Sequence, residues 1–89
     1  MIPRHLYPLF WDVNLDDFNA TDYPDYTIGR ILELGDEHAV KWMKQTFLEA
    51  DIKRVLATDQ TLSRKSANFW ASVYGIAPRD VAALRADIS

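Results

Sequence analysis

The stretch Leu62-Ser63-Arg64-Lys65-Ser66-Ala67-Asn68-Phe69-Trp70-Ala71-Ser72-Val73-Tyr74-Gly75-Ile76 decides the fold class. Ser63 is suited to accept a hydrogen bond from a free N–H of a first helical turn, and Gly75 to take the left-handed conformation that closes a helix. Between these caps, Ala67, Trp70, Ala71 and Tyr74 recur at i, i+3, i+4, i+7, a stripe wide enough to bury. Arg64, Lys65 and Asn68 fall elsewhere on the wheel. One helix can therefore build a core and offer a polar face to DNA, to a protein or to water.

Working outward, the same helical grammar recurs. Asp22 reads as the N-cap of a first helix with Pro24 in its first turn, where a missing N–H costs nothing. Tyr23, Tyr26, Ile28, Ile31, Leu32 and Leu34 are its candidates for burial, and Gly35 ends it. Gly29 weakens that helix by about 1 kcal/mol relative to Ala, which marks a close helix contact. Asp36 caps a second helix with Ala39, Val40, Met43 and Phe47 inward and Trp42 off the stripe. A short helix over residues 50–57 turns Ile52, Val55 and Leu56 inward and Lys53 and Arg54 outward. After the quoted helix, Pro78 starts a last short one carrying Val81, Ala82 and Leu84. The expectation is an all-α bundle of about five short helices in one domain, residues 1–89.

Residues 1–21 lack helical periodicity. Pro3 and Pro8 favour an extended course, and Leu6, Tyr7, Leu9, Phe10 and Trp11 form a dense apolar cluster ahead of an acidic stretch. Five such side chains are costly to leave in water. This extended aromatic arm is expected to pack on its own chain, on a second copy, or on another protein.

Composition narrows the classes. The chain is 48% hydrophobic, with three Trp, four Tyr and four Phe, and has no Cys. Disulfides, thiolate metal sites and Cys nucleophiles are thereby excluded. No apolar run approaches the roughly 18 residues of a membrane span, and the expected setting is soluble and cytoplasmic. The formal net charge of −3 hides an asymmetry. Residues 1–40 hold eight acids against two bases, net −6, whereas residues 41–89 hold eight bases against five acids, net +3. Such an acidic whole argues against wrapping nucleic acid, yet leaves room for a local basic face.

No catalytic constellation emerges. Ser63, Ser66 and Ser72 lack a sequence-evident partner, and His5 and His38 share no metal-ligand spacing with carboxylates. Asp12, Asp16, Asp17, Asp22 and Asp25 fail the spacing of a Ca²⁺ loop. Three scattered Gly cannot build a phosphate cradle. The expectation is a non-enzymatic chain without cofactor or metal. Two binding faces remain. Leu9, Phe10, Trp11 and Asp12, with Trp42, are candidates for a protein partner, because exposed aromatic residues make binding hot spots. The helix over 50–57, the polar turn Thr58-Asp59-Gln60-Thr61 and the quoted helix also outline a helix-turn-helix. In it, Arg64 and Asn68 would read base edges, while Lys53, Arg54 and Lys65 would hold phosphates.

The segments Leu9-Phe10-Trp11-Asp12-Val13, Tyr23-Pro24, Arg30-Ile31-Leu32-Glu33-Leu34-Gly35-Asp36 and Leu62-Ser63-Arg64-Lys65-Ser66-Ala67-Asn68-Phe69-Trp70 together resemble a family of short bacterial proteins of uncharacterised domain type. Genes of that family are often found beside nucleotidyltransferase-type toxins of the abortive-infection class. The resemblance spans about residues 6–76. It implies an antitoxin or regulatory partner, with autoregulatory DNA binding as a further option, and brings no catalytic residues with it.

Overall fold

A computed structural model describes residues 4–11 and 19–85. Its α-helices are α1 (Pro24–Leu34), α2 (Glu37–Thr46), α3 (Glu49–Thr58), α4 (Arg64–Tyr74) and α5 (Ala82–Arg85). Short 3-10 helices at Arg4–Phe10, Ala20–Asp22 and Pro78–Asp80 complete it, and there is no strand among the described residues. The all-α bundle expected from periodicity is what forms.

Caps explain three of the helix boundaries. Ser63 Oγ accepts from Ser66 N–H at the start of α4, and Gly75 closes that helix at φ 65°. Asp36 Oδ1 accepts from Ala39 N–H at 2.9 Å and starts α2. Asp22 does not cap α1: it ends the preceding 3-10 helix, and Tyr23 holds the N-cap position without a side-chain bond. Pro24 at the first position supplies the start instead, through its preset φ. At the other end, Gly35 leaves α1 in an extended conformation. A Cβ there would lie 2.6 Å from the Ile31 carbonyl oxygen, so the glycine serves close approach rather than left-handed geometry.

The N-terminal segment departs from the extended arm. Arg4–Phe10 winds into a 3-10 helix with Leu6 and Phe10 fully buried. Burying two large apolar side chains on one side outweighs the extended preference of the Pro8 neighbourhood, at about 1.5–3 kcal/mol each. Tyr7 and Trp11 are left on the exposed side.

One core joins these elements. It holds Leu6, Phe10, Ile28, Ile31, Leu32, Ala39, Met43, Ile52, Val55, Leu56, Leu62, Ala67, Trp70, Ala71, Val81 and Leu84. Helix α1 is the hub, packing on α2, α3, α4 and both N-terminal 3-10 segments. Helix α4 contributes its Ala67, Trp70 and Ala71 stripe as expected, with Tyr74 half-buried and stacked on Trp70 at 6.0 Å. Two expected core positions on α1 are instead exposed, Tyr23 and Leu34. Each sits at an end of the helix, where the wheel runs past the neighbours that would cover it.

Trp70 is the largest aromatic residue in this core, and its Nε1 donates to the Leu32 carbonyl oxygen at 2.8 Å. Trp70→Ala is expected to cost about 3–5 kcal/mol in urea unfolding, out of the roughly 5–10 kcal/mol available to a domain this small. A loss near 1 kcal/mol, the scale of an exposed side chain, would overturn its place in the core.

Candidate functional site

Of the five residues expected to meet a partner, the fold separates the four that are described. Phe10 is in the core, 6.1 Å from the Tyr26 ring. Leu9 and Trp42 are half-buried against the core, and Trp42 meets Phe47 edge-on at 6.0 Å. Asp12 lies outside the described residues. Trp11 alone stands out, 73% exposed. The spacing of Tyr26 and Arg30 on α1 brings the guanidinium over the Tyr26 ring, 5.0 Å from its centre, and the Trp11 ring lies 5.6 Å from the same guanidinium. Arg30 Nη2 also donates to Tyr26 Oη. A cation held over two rings organises the surface around Trp11, and exposed Tyr7 and Tyr23 belong to the flanking segments.

Beside this cluster an open groove of about 560 Å³ runs between α1 and the α3–α4 turn. Asp25, Gly29, Glu33 and Leu34 line one wall, and Val55, Asp59 and Leu62 the other. Gly29 makes the close contact foreseen from its position, against the C-terminal end of α3. A Cβ on it would lie 2.5 Å from Asp59 Oδ2, while Asp59 Oδ1 accepts from the Thr61 N–H and hydroxyl.

The basic residues of the helix-turn-helix outline point in different directions. Lys53 pairs with Glu49 at 3.4 Å and its Nζ lies 6.0 Å from the Tyr74 ring centre, by the C-terminal end of α4. Arg54 reaches Asp25 of α1 at 2.9 Å and Asp51 at 3.8 Å. Arg64, Lys65 and Asn68 are exposed on the first two turns of α4. The start of that helix, where a phosphate would dock, already carries a carboxylate. Glu33 accepts from Ser63 N–H at 2.6 Å, Ser63 Oγ at 2.8 Å and Ser66 Oγ at 2.7 Å.

Residues 6–56 match the model of a family of unknown function (DUF6922). The chain belongs to this family. No curated protein and no solved structure matches it. The part of the chain matched to DUF6922 contains the Trp11, Tyr26 and Arg30 cluster, all of α1 and α2, and most of α3. Helix α4, with Arg64, Lys65 and Asn68, lies beyond it.

Sequence reasoning missed the pairing of His5 with His38, whose rings meet edge-on at 6.1 Å. Thirty-odd residues separate them and no spacing rule joins them. Among the described residues no group of three His, Asp or Glu side chains is placed to hold a metal ion. Tyr74 is pushed above its ordinary range by burial and then by Glu49.

Two carboxylates on the α1–α2 corner titrate low. Burial raises the pKa of Glu33, but the Ser63 N–H and the hydroxyls of Ser66 and Ser63 together outweigh it and leave the value below normal. Asp36 is lowered chiefly by the Ala39 N–H, against some desolvation, with His38 and His5 adding attraction. A carboxylate whose folded pKa is depressed stabilises the fold above its unfolded pKa, near 4, and loses that contribution as pH falls through the folded value. Wild-type protein is therefore expected to lose more stability between about pH 5 and pH 3 than a Glu33→Gln, Asp36→Asn double variant, measured by urea unfolding. Parallel pH profiles would contradict the assignment. At neutral pH Glu33→Ala should cost about 1–2 kcal/mol, because it strands a helix start that a charged acceptor now satisfies.

Proposed function

We propose that the chain is a non-enzymatic protein-binding module that docks through the surface around Trp11 and the acidic α1 side. The carrying observation is Trp11 itself: a large ring, 73% exposed, held beside the Arg30 guanidinium on a segment that also exposes Tyr7. Trp, Tyr and Arg are the residues that dominate binding energy at protein interfaces. The resemblance to short proteins encoded beside nucleotidyltransferase-type toxins gives the partner its chemistry. Such a toxin has a basic nucleotide- or RNA-binding cleft, and an acidic surface complements it, speeds association and blocks substrate entry. The chain then acts as an antitoxin or regulatory partner.

DNA binding by a helix-turn-helix through Lys53, Arg54, Arg64, Lys65 and Asn68 is the second reading. It is favoured by exposed Arg64, Lys65 and Asn68 at the start of α4. We rank it lower because Glu33 occupies the N-terminus of that helix and Arg54 is turned toward Asp25.

The test is titration of the purified chain with a nucleotidyltransferase-type toxin, the partner that this reading predicts is encoded beside it. Trp11→Ala should weaken binding by about 2 kcal/mol, roughly thirtyfold, with little change in thermal midpoint. Equal affinity of variant and wild type would remove Trp11 from the interface, and no binding by wild type would refute the toxin-partner reading.

A further inference from the structure

The groove between α1 and the α3–α4 turn carries a row of carboxylates with regular spacing. Asp25 and Glu33 stand eight residues apart on α1, and midway between them Asp59 approaches the helix at Gly29. The rise of a helix makes each interval about 6 Å and the whole row about 12 Å long. In an extended peptide, side chains on one face recur every 6.6 Å or so. The two repeats match over three positions.

Exposed Leu34 supplies apolar contact, and Arg30, the cation of the lining, has its guanidinium stacked on Tyr26 and Trp11. Glu33 and Asp59 accept from neutral Ser and Thr donors, which leave their charge in place. Among the described residues Asp25 is paired across an exposed contact with Arg54, of the kind worth less than about 1 kcal/mol and readily exchanged.

We infer that this groove binds an extended segment of a partner protein carrying Lys or Arg at every second residue, with the Trp11 ring packing at its rim. The inference rests on the partner-binding reading above and names the peptide chemistry that the acidic side recognises.

The probe is a fluorescein-labelled ten-residue peptide of alternating Arg and Ser, followed by anisotropy, with a Glu-Ser peptide as its opposite. Wild type should bind the Arg peptide saturably and the Glu peptide not at all. Asp25→Lys with Leu34→Lys alters the groove at two exposed positions and should weaken binding at least tenfold at an unchanged thermal midpoint. Glu37→Lys with Gln45→Lys makes the same net charge change on the outside of α2 and should leave affinity within about twofold. Equal weakening by both pairs would reduce the effect to net charge and overturn the groove. A concentration-dependent dimer in sedimentation that the groove pair abolishes would identify the occupant as a second copy, also overturning the proposal. The toxin of the preceding test separates the two claims. If it binds wild type and the groove pair equally, the groove assignment fails while partner binding stands. If it does not bind while the peptide behaves as expected, the reverse holds.

Discussion

The indole of Trp70 donates a buried hydrogen bond to the carbonyl of Leu32, and this contact fixes how α4 lies across α1. Leu32 is among the last residues of α1, whose carbonyls have no partner within their own helix. A ring from mid-α4 thus satisfies the end of α1. The debt is returned one residue later, where Glu33 of α1 satisfies the free N–H and hydroxyls at the start of α4. Two helices some thirty residues apart in sequence cap each other. In a bundle with little core to spare, this reciprocal arrangement sets orientation as well as stability, since neither cap works if α4 slides or rotates on α1.

That clamp also decides which surface is left for function. The N-terminus of α4 is the natural place for a phosphate, and it holds an internal carboxylate. The polar residues Arg64, Lys65 and Asn68 remain exposed beside it, but Lys53 and Arg54 are drawn away by Tyr74, Glu49 and Asp25. The surface one turn back along α1 is organised differently. There Arg30 is stacked between Tyr26 and Trp11, an arrangement that leaves the Trp11 ring largely in water while its neighbour Phe10 goes into the core. The family match over residues 6–56 takes in this end and stops before α4.

Much of the fold was legible in the sequence because its signals are local. Ser63, Gly75 and Asp36 declare helix ends through their own side-chain and backbone chemistry, and the stripe of Ala67, Trp70 and Ala71 needs only a count of positions. What escaped reading depended on distant partners. The N-terminal segment looked extended because Pro8 acts locally, while the burial of Leu6 and Phe10 that folds it depends on α1 and α2. Asp22 had the residue type of a cap but Pro24 set the start of α1. Tyr23 and Leu34 had the right spacing for burial, yet nothing in the wheel tells where the covering helices stop. The candidate site was legible only at Trp11. Arg30, Tyr26 and the row formed by Asp25, Asp59 and Glu33 come together from three segments, and Glu33, now the pivot between α1 and α4, carried no signal beyond an acid near a helix end.

The central claim is that the partner meets the Trp11 side of α1 and leaves α4 clamped. The three tryptophans offer one direct readout, the indole N–H resonances of Trp11, Trp42 and Trp70 in an NMR spectrum of the ¹⁵N-labelled chain as unlabelled partner is added. The account predicts that the Trp11 resonance shifts strongly while Trp70, bonded to Leu32, stays in place. A spectrum in which Trp70 and the amides of Arg64, Lys65 and Asn68 move while Trp11 does not would contradict it.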